Sequence, residues 1–274
     1  MSSYIEYPKY EDSKFNIKIA AKEEFRVSGK KKSAKSSEDI EKLSKEICES
    51  KFTLRPHQIF VRNFLSFQTP YNSLILFHDV GTGKTCSAIS VGEEMRSYMK
   101  QIGFVKQIII VASPNVQNNF RKQLFDENKL EQNNNTFNLS SCVGNEILSE
   151  VNPNNSIKTK EELIKKVNKV IDTSYKFMGY IKFSKWIEKL NPKQIKDIFE
   201  DRLVIIDEVH NIRNIQNSLN RKNNIAKTSQ VSQGINKLVT HNYNMRLLLL
   251  SATPMFNSYK EIIWLLNIIN KNEK

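Results

Sequence analysis

No apolar run in this 274-residue chain is longer than a β-strand, so nothing in it reads as a membrane span. The first residues, "MSSYIEYPKYEDSKF", carry charge throughout and have no hydrophobic segment, which is not the pattern of a secretory signal. Cysteine is scarce. Cys48, Cys86 and Cys142 sit far apart, with no pair at C-x-x-C spacing. Neither a disulfide framework nor a zinc site is expected, and a reducing, cytoplasmic setting is the natural reading. Histidine is also sparse: His57, His78, His210 and His241 are scattered and suggest no metal cluster.

What the chain has in excess is positive charge. The net charge is +13 and the pI about 9.5. Residues 1–50 hold 11 Lys/Arg and 10 Asp/Glu, a balance of +1, which leaves +12 on the remainder. The globular part is therefore the basic part. A polyanionic partner accounts for this, and so does scattered charge that only keeps the protein soluble.

Composition divides the chain near residue 50. Residues 1–50 read as an N-terminal arm, partly disordered, with the basic stretch "SGKKKSAKSS" as a linker. A short helix is expected over 37–50, with Ser37 as cap, Glu38 and Asp39 in its first turn, and Ile40, Leu43 and Ile47 as its apolar stripe. Beyond Phe52, short Ile/Val/Leu runs alternate with helical stretches. The runs are 73–77, 107–113, 137–142, 169–174, 203–208 and 247–253. They do not alternate apolar with polar, so they read as strands buried on both faces. Buried strands separated by helices imply an α/β domain over 51–274 with a mostly parallel sheet. Ligands on such sheets sit at the carboxyl ends of the strands. Residues 133–138 read as a loop and 213–230 as a long polar connection.

The first strand runs into "LILFHDVGTGKT", residues 74–85. A strand, a glycine loop and a helix in that order point backbone N–H groups and a helix N-terminus at one spot. Gly81 and Gly83 let the backbone approach phosphate oxygens, Lys84 supplies a mobile positive charge, and Thr85 offers a hydroxyl to Mg²⁺. Val80, Thr82 and Cys86 complete the loop. The first glycine of the full G-x-x-x-x-G-K-[ST] pattern is replaced by His78. An ordinary strand-to-helix turn does not account for two glycines followed by Lys-Thr. A P-loop needs an acid at the end of another strand, and "LVIIDEVHN" supplies it. Asp207 is placed to hold Mg²⁺ through water, and Glu208 to orient and deprotonate an attacking water, which makes the reaction hydrolysis of a γ-phosphate.

Four segments in order resemble the first RecA-like motor domain of superfamily 2 helicases and translocases: "LRPHQ" (54–58), "GTGKT", "DEVH" and "SAT" (251–253). The resemblance implies ATP and Mg²⁺ as cofactors. It gives Arg55 and Gln58 an adenine-side role and assigns coupling to His210, Ser251, Ala252 and Thr253. "ASPNVQNNF" (112–120) and "DTSYKFMGY" (172–180) resemble the segments that touch a nucleic-acid backbone. They nominate Ser113, Asn115, Asn119, Thr173 and Ser174, for each of which a helix cap or a solvated amide is the alternative. The wording over 52–270 is similar to helicase-like ATPases of large cytoplasmic DNA viruses. That group includes poxvirus early transcription factor and nucleoside triphosphatase subunits and mimivirus-type relatives.

The resemblance implies a nucleic-acid-dependent ATPase acting without sequence specificity, on DNA rather than RNA, in viral transcription with an RNA polymerase complex. Its setting is host cytoplasm or virion. Superfamily 2 motors close ATP between two lobes. Only the first is legible here, so a second lobe in cis or trans is expected, with weak activity without it. Apolar surface on "EIIWLLNII" is expected to remain uncovered. Two rivals stand beside this reading: an ATP-driven transcription factor that does not unwind strands, and a nucleotide-gated interaction subunit without productive hydrolysis.

Overall fold

The computed structural model describes residues 7–26, 54–79, 81–133, 136–139, 141–143, 145–212, 222–253 and 260–273. The helix expected at 37–50, and Val80 of the glycine loop, lie outside the described residues.

Five strands form a parallel sheet: β1 (Ser73–Phe77), β2 (Ile108–Val111), β5 (Tyr175–Met178), β6 (Leu203–Ile206) and β7 (Arg246–Ser251). Their spatial order is β1-β7-β6-β2-β5. The register places Ile75 opposite Leu249, Ile206 opposite Leu249, and Val111 opposite Ile206. A hairpin of β3 (Leu130–Asn133) and β4 (Thr136–Leu139) stands apart as a two-stranded antiparallel sheet.

Side chains alternate faces along a strand, and here both faces are covered. Ile108, Ile110, Leu203, Ile205, Leu248 and Leu250 enter one apolar cluster. Ile109, Val111, Val204, Ile206, Leu247 and Leu249 enter the other. The first cluster packs under α2 (Pro56–Phe64), α3 (Lys84–Gln101), α4 (Pro114–Leu124), α5 (Glu146–Val151) and α6 (Lys160–Ser174). The second packs under α7 (Tyr180–Lys189), α8 (Pro192–Phe199), α9 (Lys222–His241) and α10 (Lys260–Asn272). Each fully buried Leu or Ile contributes roughly 1.5–3 kcal/mol, so the alternating rows hold the sheet from both sides. This is the α/β, mostly parallel sheet that the apolar runs implied, and the RecA-like fold that the resemblance implied.

Three expectations are corrected. The run 169–174 is not a strand. It is the last turns of α6, whose Leu163, Val167 and Ile171 keep a helical stripe into the core, and the strand begins at Tyr175. The run 137–142 does not join the main sheet but forms part of the hairpin. Residues 222–230 are not loop but the start of α9, whose later Val231, Ile235, Leu238 and Val239 are buried. Within the N-terminal arm, α1 (Phe15–Ala21) and a following 3₁₀ turn bury Ile19 and Phe25 in the first cluster. Aromatic anchors hold this segment. Tyr7 and Phe15 meet Tyr71 edge-on, Tyr71 stacks on Phe64, and the Tyr71 hydroxyl donates to the Pro8 carbonyl at 2.7 Å.

The C-terminal helix α10 buries Leu265 and Ile268 and leaves Ile262, Ile263 and Leu266 exposed, as its amphipathic pattern predicted. Buried Asn272 fixes its end by donating to the carbonyls of Asn72 and Met245 and to the Ser73 hydroxyl. Among the described residues no helix is long and apolar enough to cross a membrane, and no group of His, Cys, Asp and Glu could hold a metal ion.

Candidate nucleotide site

The carboxyl ends of β1, β6 and β7 carry the glycine loop, Asp207-Glu208 and Ser251, side by side in the sheet order. Gly81 and Gly83 both have positive φ, 84° and 86°, a conformation that costs an L-residue about 1–2 kcal/mol. Gly83 is the N-cap of α3 and has no side chain to offer, so the first N–H groups of an 18-residue helix face outward without a side-chain cap. Thr82 closes the turn, with its hydroxyl donating to the Asp79 carbonyl at 2.7 Å. Lys84 reaches back over the loop and donates to the carbonyls of His78 at 2.6 Å and Asp79 at 3.0 Å. Thr85 follows at the second helical position, half-buried.

The segment 55–58 docks on this loop. Gln58 caps its own helix by accepting from the Arg55 N–H at 2.8 Å, and its amide donates to the Gly83 carbonyl at 3.3 Å. His57 lies 3.3 Å from the Thr82 carbonyl and meets the His78 ring edge-on. Burial beside His57 and Lys84 pushes the His78 pKa down. The sequence therefore brings Arg55, Gln58 and the glycine loop together as one unit.

On β6, Asp207 is buried, and its backbone N–H continues the sheet by donating to the Val111 carbonyl at 3.0 Å. One carboxylate oxygen accepts the Glu208 N–H at 2.8 Å. Burial pushes the Asp207 pKa up to about 6; the Glu208 charge adds to that, while the Glu208 N–H and Lys84 oppose it. Glu208 adopts φ 46°, a left-handed conformation sparsely populated by residues other than glycine. His210 Nδ1 stands 3.0 Å from Glu208 Oε2. That contact is poorly aligned for a hydrogen bond, and the oxygen is otherwise buried without a partner. The same Nδ1 lies 3.3 Å from the Ser251 hydroxyl, which accepts the Thr253 N–H at 3.1 Å. Ala252 is half-buried beside it.

The donor set fits a magnesium–nucleotide. An uncapped helix N-terminus and Lys84 supply positive potential. Thr85 and Asp207 are oxygen ligands of the kind Mg²⁺ takes. Beside them, the Glu208 Oε2 oxygen is a buried acceptor that makes no hydrogen bond.

The expected nucleic-acid residues divide. Ser113 stands at the N-cap position of α4, past the end of β2, without a side-chain capping bond, and Asn115 and Asn119 are exposed one turn apart on that helix. Thr173 and Ser174 do not join them. They lie in the last turn of α6, at the amino end of β5, where the Thr173 hydroxyl donates to the carbonyls of Lys169 and Val170. The carboxyl end of β5 instead bears Gly179 and Tyr180, which sequence spacing did not single out. The Tyr180 hydroxyl donates to the Asp207 carbonyl at 2.8 Å.

Cys86 and Cys142 are joined as a disulfide, with Cα atoms 5.3 Å apart. This corrects the expectation of unpaired cysteines: the hairpin and the loop after it carry Cys142 back to the first turn of α3. A pocket of about 600 Å³ lies off the glycine loop and is lined by Arg62, Glu93, Glu94 and Glu146 among others. Its acidic lining does not suit phosphate.

Residues 57–273 match the SNF2-related domain family, and the chain belongs to that family. It is 28% identical over 243 residues to an Acanthamoeba polyphaga mimivirus protein named "Putative ATP-dependent RNA helicase", covering 85% of this chain and 36% of that protein. A Frog virus 3 "Putative helicase" is 29% identical, with 80% and 20% covered. The "Nucleoside triphosphatase I" of Choristoneura biennis entomopoxvirus is 25% identical, with 84% and 29% covered. The chain thus spans about a fifth to a third of the length of these viral relatives.

Proposed function

We propose that this chain is the ATP-binding lobe of a nucleic-acid-dependent ATPase of helicase or translocase type, acting on DNA in viral transcription. One observation carries the reading: the glycine loop, Asp207-Glu208 and Ser251 lie at one edge of the sheet, with His210 between Glu208 and Ser251. The helicase and triphosphatase names of the relatives support it.

In this reading the backbone N–H groups of Gly81, Thr82 and Gly83, with Lys84, hold the β- and γ-phosphates. Lys84 exchanges the carbonyls of His78 and Asp79 for phosphate oxygens. Arg55 and Gln58 line the base side. Thr85 and Asp207 would hold Mg²⁺, the aspartate through water, where it would supply charge to offset the phosphates. Glu208 takes the proton of the attacking water. Ser113, Asn115 and Asn119 contact a nucleic-acid backbone, and affinity from such contacts is salt-sensitive and independent of sequence. A second lobe, in cis or in trans, completes the cleft, and an RNA polymerase complex is the working partner.

A second reading keeps the ATPase and drops strand separation, leaving translocation or transcript release. The match to the SNF2-related family and the triphosphatase name favour it.

The test is ATP hydrolysis by the purified chain, alone and with single-stranded DNA, double-stranded DNA or RNA, with Lys84→Ala as control. Slow hydrolysis that rises with DNA and vanishes in the control is expected. Activity that persists in Lys84→Ala, or stimulation by RNA alone, overturns the assignment or its DNA arm respectively.

A further inference from the structure

The Tyr180 hydroxyl donates to the Asp207 carbonyl at 2.8 Å. The Asn211 side chain and the backbone N–H of Ser113 lie beside its oxygen. A phenol has one donor and two acceptor positions, so a single side chain meets three strand ends. Its own lies at the end of β5, Ser113 at the end of β2, and Asp207 at the end of β6. Backbone bonds past the strands run along the same line: Ala112 N–H to the Met178 carbonyl and Asp207 N–H to the Val111 carbonyl, both 3.0 Å.

The two outer arms lead to different chemistry. Ser113 begins α4, on which Asn115 and Asn119 are exposed. Asn211 lies in the 3₁₀ turn Val209–Ile212 that also carries His210, and its N–H donates to the Glu208 carbonyl at 2.9 Å. A displacement of the start of α4 therefore has a route to Asp207 through the Ala112–Met178 backbone bond and the Tyr180 hydroxyl, and Asn211 continues it to Glu208. The aromatic ring is packed with the second apolar cluster, which leaves the hydroxyl little freedom to follow one partner and release another.

We infer that Tyr180 is a positioning residue that couples occupancy of the nucleic-acid surface at Ser113–Asn119 to the geometry of Asp207 and Glu208. The inference rests on the proposed function and adds a residue to it. Such coupling is reciprocal: nucleic acid changes nucleotide affinity by the factor by which nucleotide changes nucleic-acid affinity. Tyr180→Phe keeps the ring and removes the node, so it lowers that factor while leaving each separate affinity in place.

The experiment is equilibrium binding, which needs no turnover. A fluorescent, non-hydrolysable ATP analogue with Mg²⁺ is titrated into the full chain, without and with saturating DNA oligonucleotide, and the oligonucleotide is titrated reciprocally. For the unmodified chain a shift of roughly 5-fold or more is expected, the lower end of ordinary allosteric coupling. For Tyr180→Phe each ligand alone binds within about 3-fold of the parent, and the shift falls below about 2-fold. Asn211→Ala removes one arm and gives an intermediate shift. It also serves if Tyr180→Phe fails to fold, as judged by thermal melting. A parental shift retained in both variants overturns the inference. So does a parent that binds both ligands with no shift, which leaves the proposed function standing. A parent that binds neither ligand overturns both.

Discussion

His210 and Ser251 meet across the ends of two neighbouring strands, with the imidazole Nδ1 3.3 Å from the serine hydroxyl oxygen. That hydroxyl also accepts the Thr253 N–H, so one small, fully buried side chain holds the turn after β6 to the segment after β7. Ser251→Ala removes both contacts and strands the partners. The expected cost is about 1–3 kcal/mol, the ordinary range for a buried group left unpaired. Chemical denaturation reads it as a lower midpoint with unchanged slope. In the proposed function the same change lowers DNA-stimulated hydrolysis more than nucleotide affinity, and equal losses in both would remove Ser251 from the coupling role.

The two loop glycines are not equivalent. A Cβ on Gly81 meets nothing within 4 Å, whereas on Gly83 it would stand 2.6 Å from the Gln58 side-chain nitrogen. Gly81→Ala is expected to cost only the positive-φ term, about 1–2 kcal/mol. Gly83→Ala adds a steric term and displaces Gln58 from the loop. Pairing Gly83→Ala with Gln58→Ala recovers the steric part alone. Melting temperatures of the three variants test this. A Gly83→Ala protein no less stable than Gly81→Ala would mean that Gln58 yields freely.

An ionic network centred on buried Glu93 ties α3 to the rest of the first cluster. Arg96 donates to both oxygens of Glu93 and, at 2.7 Å, to Glu150, which also pairs with Lys100 at 2.9 Å. The Tyr175 hydroxyl closes on Glu93 from the edge strand. Removing one partner of a buried pair leaves an uncompensated charge, so Arg96→Ala is expected to destabilise by about 3–5 kcal/mol. Adding Glu93→Gln should restore part of that loss. Additive effects in the double variant would show that the two side chains act independently.

Much of the site was legible because its chemistry is local. Loop, lysine and acids each follow an apolar run whose two faces are both buried, so the strand end and the functional residue are read together. Where the physics is not local, the reading failed. Residues 169–174 end a helix in β-branched residues and so resemble a strand. Tyr7, Tyr71 and Phe64 form one aromatic cluster, but they are separated in sequence and have no period. Cys86 and Cys142 are 56 residues apart. The partners of Tyr180 come from two other strand ends, so no spacing around "MGYIKF" marks it.

Asp207 gives a pH dependence of fixed sign. Burial raises its pKa from the ordinary 3.8 to about 6, so the fold disfavours its charged form. The residue is harmless below about pH 4, where it is protonated in both folded and unfolded chains. Its cost accrues as pH rises from about 4 to about 6 and levels off above. The interval from 3.8 to about 6 corresponds to about 3 kcal/mol. Asp207→Asn removes the charge at constant size. Without divalent cation it should melt several degrees above the parent at pH 7–8, with the difference shrinking towards zero near pH 4. Adding Mg²⁺ and nucleotide should stabilise the parent and leave Asp207→Asn unmoved, which reverses their order. A pH-independent gap between the two proteins would mean that Asp207 does not carry the buried charge, and the proposed Mg²⁺ position would fall with it.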